Sequence, residues 1–326
     1  LSVQPILEAE HLVKVFPIGG FFGGGQLTAV DDISFQIPGD KPAIVTLLGE
    51  SGSGKSTIAR MLLHLIKPTT GEIRYKGKDL KRMSWHEKQT YRREVQAVFQ
   101  DPYGAYNPFY RVNHVLAVPL KKFKLASSLE EMRRIMAEAM EAVGLRPEEV
   151  LDRYPHQLSG GQRQRLMIAR CLPMEPRIIV ADEPVSMIDA SLRAGILDVF
   201  LELKRKYEMS LLFVTHDLSV AYYLSDTMIV LYDGRVVERG DAEAIVRRGV
   251  HPYVQLLMSS VPLPNPEKRW KERLDLKATD LRRRAESRTG CVFNNRCPRH
   301  WEKCAKTPPE MISLESEHEV ACHLYS

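Results

Sequence analysis

The chain has 326 residues, a net charge of +5 at pH 7 and 44% apolar residues. That is enough for a packed core in one large domain plus a small one, or in two medium ones. No apolar run approaches the length needed to cross a bilayer, and the mild positive charge does not by itself indicate nucleic acid. The opening Leu1-Ser2-Val3-Gln4-Pro5 holds no basic stretch leading into an apolar one, so a cytosolic chain is expected.

In chain order, Ile6 to Val15 and Thr28 to Ile37 read as strands. Between them, Gly19-Gly20-Phe21-Phe22-Gly23-Gly24-Gly25 reads as a hairpin tip with two exposed aromatics. The apolar run Ala43 to Leu48 then leads into Gly49-Glu50-Ser51-Gly52-Ser53-Gly54-Lys55-Ser56-Thr57. This segment fits the phosphate-loop pattern, and a helix-like run follows with Ile58, Met61, Leu62, Leu65 and Ile66 on one face. Glycines let backbone N–H groups close around phosphates. Lys55 would reach the outer phosphates and Ser56 would hold Mg²⁺, while the helix start adds its partial positive charge.

Gly71 to Leu80 is predicted as a hairpin turning near Lys76-Gly77, and Val95 to Gln100 as a short buried strand. From Asp101 to Gln157 the pattern changes to a helical insertion, broken early by Pro102, Pro108 and Pro119. Within it a helix is expected from Leu129 to Val143, with Met132, Ile135, Met136, Ala139 and Met140 as a core stripe. The α/β rhythm then returns: helix Gly160 to Leu172, strand Arg177 to Ala181, helix Asp189 to Tyr207, strand Ser210 to Thr215 and helix Leu218 to Leu224. A hairpin from Thr227 to Glu238 turns at Asp233-Gly234, and His251 to Ser260 reads as a short helix. Such alternation predicts a mainly parallel sheet covered on both faces. Pro262, Pro264 and Pro266 mark a boundary, and the basic run from Lys268 to Arg288 reads as a solvated linker face.

The strand Ile178-Ile179-Val180-Ala181 ends in Asp182-Glu183, at the edge where a parallel sheet keeps its ligand chemistry. Asp182 would hold Mg²⁺, and Glu183 would polarise the water that attacks a γ-phosphate. Leu158-Ser159-Gly160-Gly161-Gln162 is a second anion site at a helix start. One nucleotide does not need two cradles in one chain, but two chains placed head to tail can each close over the other's ATP.

This succession of phosphate loop, Leu-Ser-Gly-Gly-Gln and Asp-Glu strand resembles the nucleotide-binding domain of ATP-binding cassette (ABC) transporters, over roughly Ile6 to Ser260. The resemblance implies an α/β fold: a P-loop, RecA-like domain with an antiparallel β subdomain and a helical subdomain, followed by a small Cys-rich C-terminal segment. It divides the chain into residues 1–260, with the helical part at about 101–172, a charged linker at 261–289 and a cysteine segment at 290–326. It further implies that Phe16 stacks on adenine, that Gln100 contacts Mg²⁺ and senses the membrane subunits, and that His216 contacts the γ-phosphate. Ser186-Met187-Ile188-Asp189 resembles the loop that crosses the dimer. No catalytic position is degenerate, so an active ATPase with ATP and Mg²⁺ is implied, weak alone and faster when dimerised.

Gln100-Asp101-Pro102-Tyr103-Gly104-Ala105-Tyr106-Asn107-Pro108 and His251-Pro252-Tyr253 resemble the oligopeptide and dipeptide importer ATPases, with Tyr106 in place of the usual Leu. Relatives in that group also serve nickel or oligosaccharides. The implied setting is the cytoplasmic face of the membrane. The implied partners are a sister or identical ATPase subunit, two transmembrane permease subunits docked near Tyr103 to Arg111, and an extracytoplasmic substrate-binding protein, without nucleic acid. Rival readings are a soluble cassette ATPase acting on ribosomes or DNA, and a redox-regulated module.

Cys171 stands alone, whereas Cys291, Cys297, Cys304 and Cys322 share the last stretch with spacing C-x5-C-x6-C-x17-C. Four cysteines suit an iron–sulfur cluster, zinc or free thiols. The resemblance favours a [4Fe–4S] cluster over Zn²⁺, as a staple for a segment without its own core. Cys171 is expected to be a small buried hydrophobe.

Overall fold

The structure is a computed structural model, and it describes residues 4–18, 25–104, 106–260, 289–315 and 317–326. The expected Phe21-Phe22 hairpin tip and the basic linker run lie outside the described residues. The chain divides into two compact units, one built mainly from Leu80–Val214 and the other from Gln4–Ile37, Val45–Asp79 and Thr215–Ser326.

In the second unit, strands Leu7–Ile18 and Gly25–Ile37 pair antiparallel. Leu7–Ile18 also pairs antiparallel with Thr70–Tyr75, which turns back into Lys78–Asp79. This is the antiparallel β subdomain. Beside it, strand Ile44–Leu48 runs parallel to Thr227–Tyr232, with Val45 opposite Thr227 and Leu48 opposite Val230. Its five residues are all buried, as expected of a strand covered on both faces. Thr227–Tyr232 turns antiparallel into Arg235–Asp241, and the chain's last strands, Ile312–Glu315 and His318–Val320, extend that edge.

In the first unit, strands Val95–Val98, Ile178–Asp182 and Ser210–Thr215 form a parallel run, with Val98 opposite Ala181 and Asp182 opposite Val214. Helix Leu129–Glu141 buries Met132, Met136, Ala139 and Met140, the predicted stripe. Helix Gly160–Ala169 ends before a short 3₁₀ turn at Leu172–Met174. Helix Ala190–Tyr207 is the longest in the chain's described part. Cys171 is buried, and burial raises its thiol pKa, in keeping with a small core hydrophobe.

Among the described residues, three of the helices that were not expected have clear local causes. Trp85–Glu94 starts at a capping box: the Glu87 N–H donates to Ser84 Oγ, and the Ser84 N–H to Glu87 Oε2 at 2.8 Å. The Ser-x-x-Glu signal was there, but this helix buries little besides Tyr91, so its apolar periodicity is faint. Val112–Phe123 contains Pro119, which was read as a breaker. Val112, Leu116 and Leu120 are buried at four-residue spacing, and that stripe outweighs the hydrogen bond lost at the proline. Ala242–Arg248 is capped by Asp241, whose Oδ1 accepts from the Glu243 and Ala244 N–H groups.

Candidate functional site

The phosphate loop lies in the second unit, between the buried strand Ile44–Leu48 and helix Lys55–Leu62. Gly54 caps that helix in the left-handed region (φ 101°), and no side chain caps the helix start. A Cβ at Gly54 would stand 2.4 Å from the Ala29 carbonyl oxygen, so both conformation and space demand glycine. Lys55 is only 4% exposed. Its ammonium donates to the Gly49 oxygen at 2.6 Å and the Glu50 oxygen at 2.8 Å, folding back over the loop. A buried cation, a glycine-lined turn and a helix start without a side-chain cap form a set that fits a triphosphate. The Ser56 hydroxyl, half-buried at the first helical turn, suits a small hard cation.

The Gly234 N–H donates to the Ser53 oxygen, so the predicted Asp233-Gly234 turn helps set the loop. Phe16 is half-buried on strand Leu7–Ile18, with the Lys14 ammonium 5.0 Å from its ring centroid. His216 is exposed in the same unit, just after strand Ser210–Thr215 and before the helix that Asp217 caps.

The first unit gathers the carboxylate end. Asp182 closes strand Ile178–Asp182, and Glu183 follows with φ 46°, its N–H donating to the Val214 oxygen. A non-glycine residue held in the left-handed region is a constrained one. The Gln100 Nε2 donates to Glu183 Oε2 at 3.4 Å, so the two sequence-predicted polar groups meet. Ser186 Oγ donates to the Glu183 oxygen at 3.0 Å, which fixes the start of the Ser186–Asp189 loop. Asp189 sits at the start of helix Ala190–Tyr207 without capping it through its side chain.

The segment Ser159–Gln162 opens helix Gly160–Ala169, and it is self-capped. The Gln162 N–H donates to Ser159 Oγ at 3.2 Å, and the Ser159 N–H to Gln162 Oε1 at 3.0 Å. Tyr103 lies close by: a Cβ at Gly160 would be 3.1 Å from its hydroxyl, and the Arg163 guanidinium lies 4.2 Å from its ring centroid. Tyr106 is buried and donates to the Arg163 oxygen, so the larger side chain fills the place of Leu without strain on its hydroxyl. Phe109 is 85% exposed, and Tyr103 and Tyr110 are exposed too.

Known proteins are similar to this chain over nearly its whole length. The ABC transporter family matches residues 30–186, and the oligopeptide/dipeptide transporter C-terminal region matches residues 237–304. The oligopeptide transport ATP-binding protein OppF of Haemophilus influenzae is 38% identical, over 97% of this chain and 96% of its own. The di/tripeptide transport ATP-binding protein DppF of Pseudomonas aeruginosa is 36% identical over 98% of each. The chain belongs to the ATP-binding proteins of the oligopeptide and dipeptide ABC transporter family. Among solved structures, the ATP-binding cassette MJ0796, a dimer in a post-hydrolysis state bound to ADP and Pi, is similar with a TM-score of 0.63. That match has 29% identity and covers 72% of this chain and 98% of that one. The fold is thus the ABC ATPase cassette, and no helix among the described residues is long and apolar enough to cross a membrane.

The cysteine segment departs from expectation. Among the described residues, no group of three or more His, Cys, Asp or Glu is placed to hold a metal ion, so the expected [4Fe–4S] cluster or Zn²⁺ finds no support there. All four thiols are free; Cys304 and Cys322 are buried, and Cys291 and Cys297 pack against an apolar cluster. Burial pushes the Cys291 thiol up to about 11 and also raises Cys297 and Cys322, and the neighbouring thiols add to each shift. The segment instead anchors itself in a core supplied mostly by residues outside it. Phe293 is fully buried in a cluster with Tyr232, Tyr253, Val237 and Ile245, its ring edge-on to Tyr232 at 5.1 Å.

A residue of the loop's surroundings escaped the sequence reading. Arg296 donates through Nη1 to Glu50 Oε2 at 2.7 Å and through Nη2 to Glu50 Oε1 at 3.0 Å. No local pattern marks Arg296, because its partner lies 246 positions away.

Proposed function

We propose that the chain is the ATP-hydrolysing subunit of an ABC importer for peptides, acting as a head-to-tail dimer with a sister or identical subunit. The observation that carries the reading is the joint match: a phosphate loop built for a triphosphate in a chain whose residues 237–304 match the oligopeptide/dipeptide transporter C-terminal region. Residues 1–260 would form the nucleotide-binding domain and 290–326 its C-terminal segment. Two permease subunits would dock at the exposed aromatics Tyr103, Phe109 and Tyr110, placing the chain at the cytoplasmic face. An extracytoplasmic substrate-binding protein would deliver the cargo.

Each predicted residue then has a role. The glycine-rich loop from Gly49 to Thr57 cradles the phosphates, and Lys55 offsets their charge. By the family resemblance, Ser56, Asp182 and Gln100 would be the residues to hold Mg²⁺, which would supply positive charge against the phosphates when bound. Glu183 accepts the proton of the attacking water, His216 faces the γ-phosphate, and Phe16 stacks on the base. Ser159, Gly160, Gly161 and Gln162 act on the nucleotide of the partner chain, and Asp189 borders the dimer seam.

The test is a pull-down from membranes with mass spectrometry, combined with hydrolysis assays on Glu183→Gln. Recovery of two permease subunits, with hydrolysis reduced about a hundredfold or more while ATP stays bound, is expected. Recovery with ribosomes or nucleic acid, or rapid turnover in that variant, would overturn the reading.

A further inference from the structure

Glu50 sits inside the phosphate loop, and each of its polar handles is taken. Its carbonyl accepts from Lys55 Nζ at 2.8 Å and from the Ser53 N–H at 3.1 Å. Its backbone N–H donates to the Tyr253 hydroxyl at 3.0 Å. Its carboxylate receives both arms of the Arg296 guanidinium. The first handle faces the loop's own lysine. The other two are held by residues far along the chain, on helix Pro252–Ser259 and in the 3₁₀ turn Asn294–Arg296.

These two holders share one foundation. Phe293 packs edge-on to Tyr232 and tilted against Tyr253, and Arg296 Nη1 donates to the Tyr232 hydroxyl at 3.2 Å. The side chain of Arg296 is 9% exposed, whereas that of Glu50 is 42% exposed. A guanidinium drawn that far from water needs a well-aligned carboxylate, and the bidentate fork supplies one. Its Nε is buried without a hydrogen bond, so the side chain is aimed at Glu50 at the expense of its own full solvation.

A glycine-rich loop loses much conformational freedom when it closes on a ligand. A loop already held in place loses less on binding, and affinity rises accordingly. We infer that Arg296 and Tyr253 are positioning residues for the phosphate loop. Through Glu50 they hold the Gly49–Lys55 turn in the shape that receives a nucleoside triphosphate. The inference rests on the ATPase reading above. It gives the C-terminal segment a task in nucleotide binding.

The experiment is calorimetric titration of the full chain with a non-hydrolysable ATP analogue and Mg²⁺, alongside thermal melting. Arg296→Met keeps the packing stem and removes the fork; Glu50→Ala removes the acceptor. Each is expected to weaken analogue binding about fivefold or more, and the double variant to lose no more than either alone. Tyr253→Phe retains every ring contact and deletes only the hydroxyl, so it reads loop positioning even if Arg296→Met folds poorly; it too should weaken binding. Well-folded variants that bind within about twofold of the parent chain, or losses in Arg296→Met and Glu50→Ala that simply multiply in the double variant, would overturn the inference. A parent chain that binds no analogue would instead sink the ATPase reading itself.

Discussion

Helix Lys55–Leu62 and helix Gly160–Ala169 both follow short segments of Gly and Ser, yet their first turns are completed differently. At the first, a left-handed glycine occupies the cap position, no side chain caps the helix, and a buried lysine folds over the loop. At the second, Ser159 and Gln162 satisfy one another in a capping box. One helix start is built to receive an anion from the outset. The other has its cap donors occupied, so an anion must displace a cap whose removal costs about 1 kcal/mol. Under the proposed function, a chain with this pair would bind nucleotide by itself, whereas its second segment would respond only when a partner's nucleotide is brought against it.

That contrast can be broken in four ways. Lys55→Ala should have the largest effect: hydrolysis down by about a thousandfold and weaker nucleotide binding, measured by phosphate release and titration. Retained binding would mean that the first loop does not depend on its buried cation. Phe293→Ala, behind the same loop, should lower stability by about 3 kcal/mol in urea unfolding, because the ring is fully buried between Tyr232 and Tyr253.

The third concerns His251, which caps the helix that carries Tyr253. Its Nδ1 accepts from the Tyr253 N–H at 3.0 Å, and burial pushes its imidazole down to about 4. A group depressed in the folded state contributes stability above its unfolded pKa near 6.5 and loses it as the pH falls toward about 4. The loss should reach about 3 kcal/mol over that window. His251→Asn keeps a capping acceptor without the titration, so its urea stability should fall less than the parent's between those pH values. Equal slopes would remove His251 as the cause.

The smallest effect belongs to the second segment. Ser159→Ala should leave nucleotide affinity of the isolated chain unchanged while hydrolysis by the assembled transporter drops about tenfold. A matching drop in the affinity of the isolated chain would place Ser159 at the chain's own nucleotide and erase the distinction.

The elements that carry the candidate site were largely legible in the sequence. The turn Gly49–Thr57, the strand ending in Asp182-Glu183 and the Ser159 helix start each pair a chemical pattern with the strand or helix adjoining it in sequence. The Trp85–Glu94 and Ala242–Arg248 helices were missed because they are short and weakly periodic, although Ser84 with Glu87, and Asp241, are ordinary cap signals. Pro119 misled because a proline's local penalty was weighed without the burial of Leu116 and Leu120 around it.

The four late cysteines show the boundary most sharply. Their clustering and the resemblance pointed to a metal staple, while the fold holds this segment through Phe293, the strand His318–Val320 and the fork of Arg296 on Glu50. By itself the sequence determined the phosphate loop, the carboxylate strand end and the family, because those signals are contained within a few consecutive residues. The tertiary structure alone decided what supports the loop, because a contact between residues 246 positions apart is set by packing and leaves no trace in local pattern.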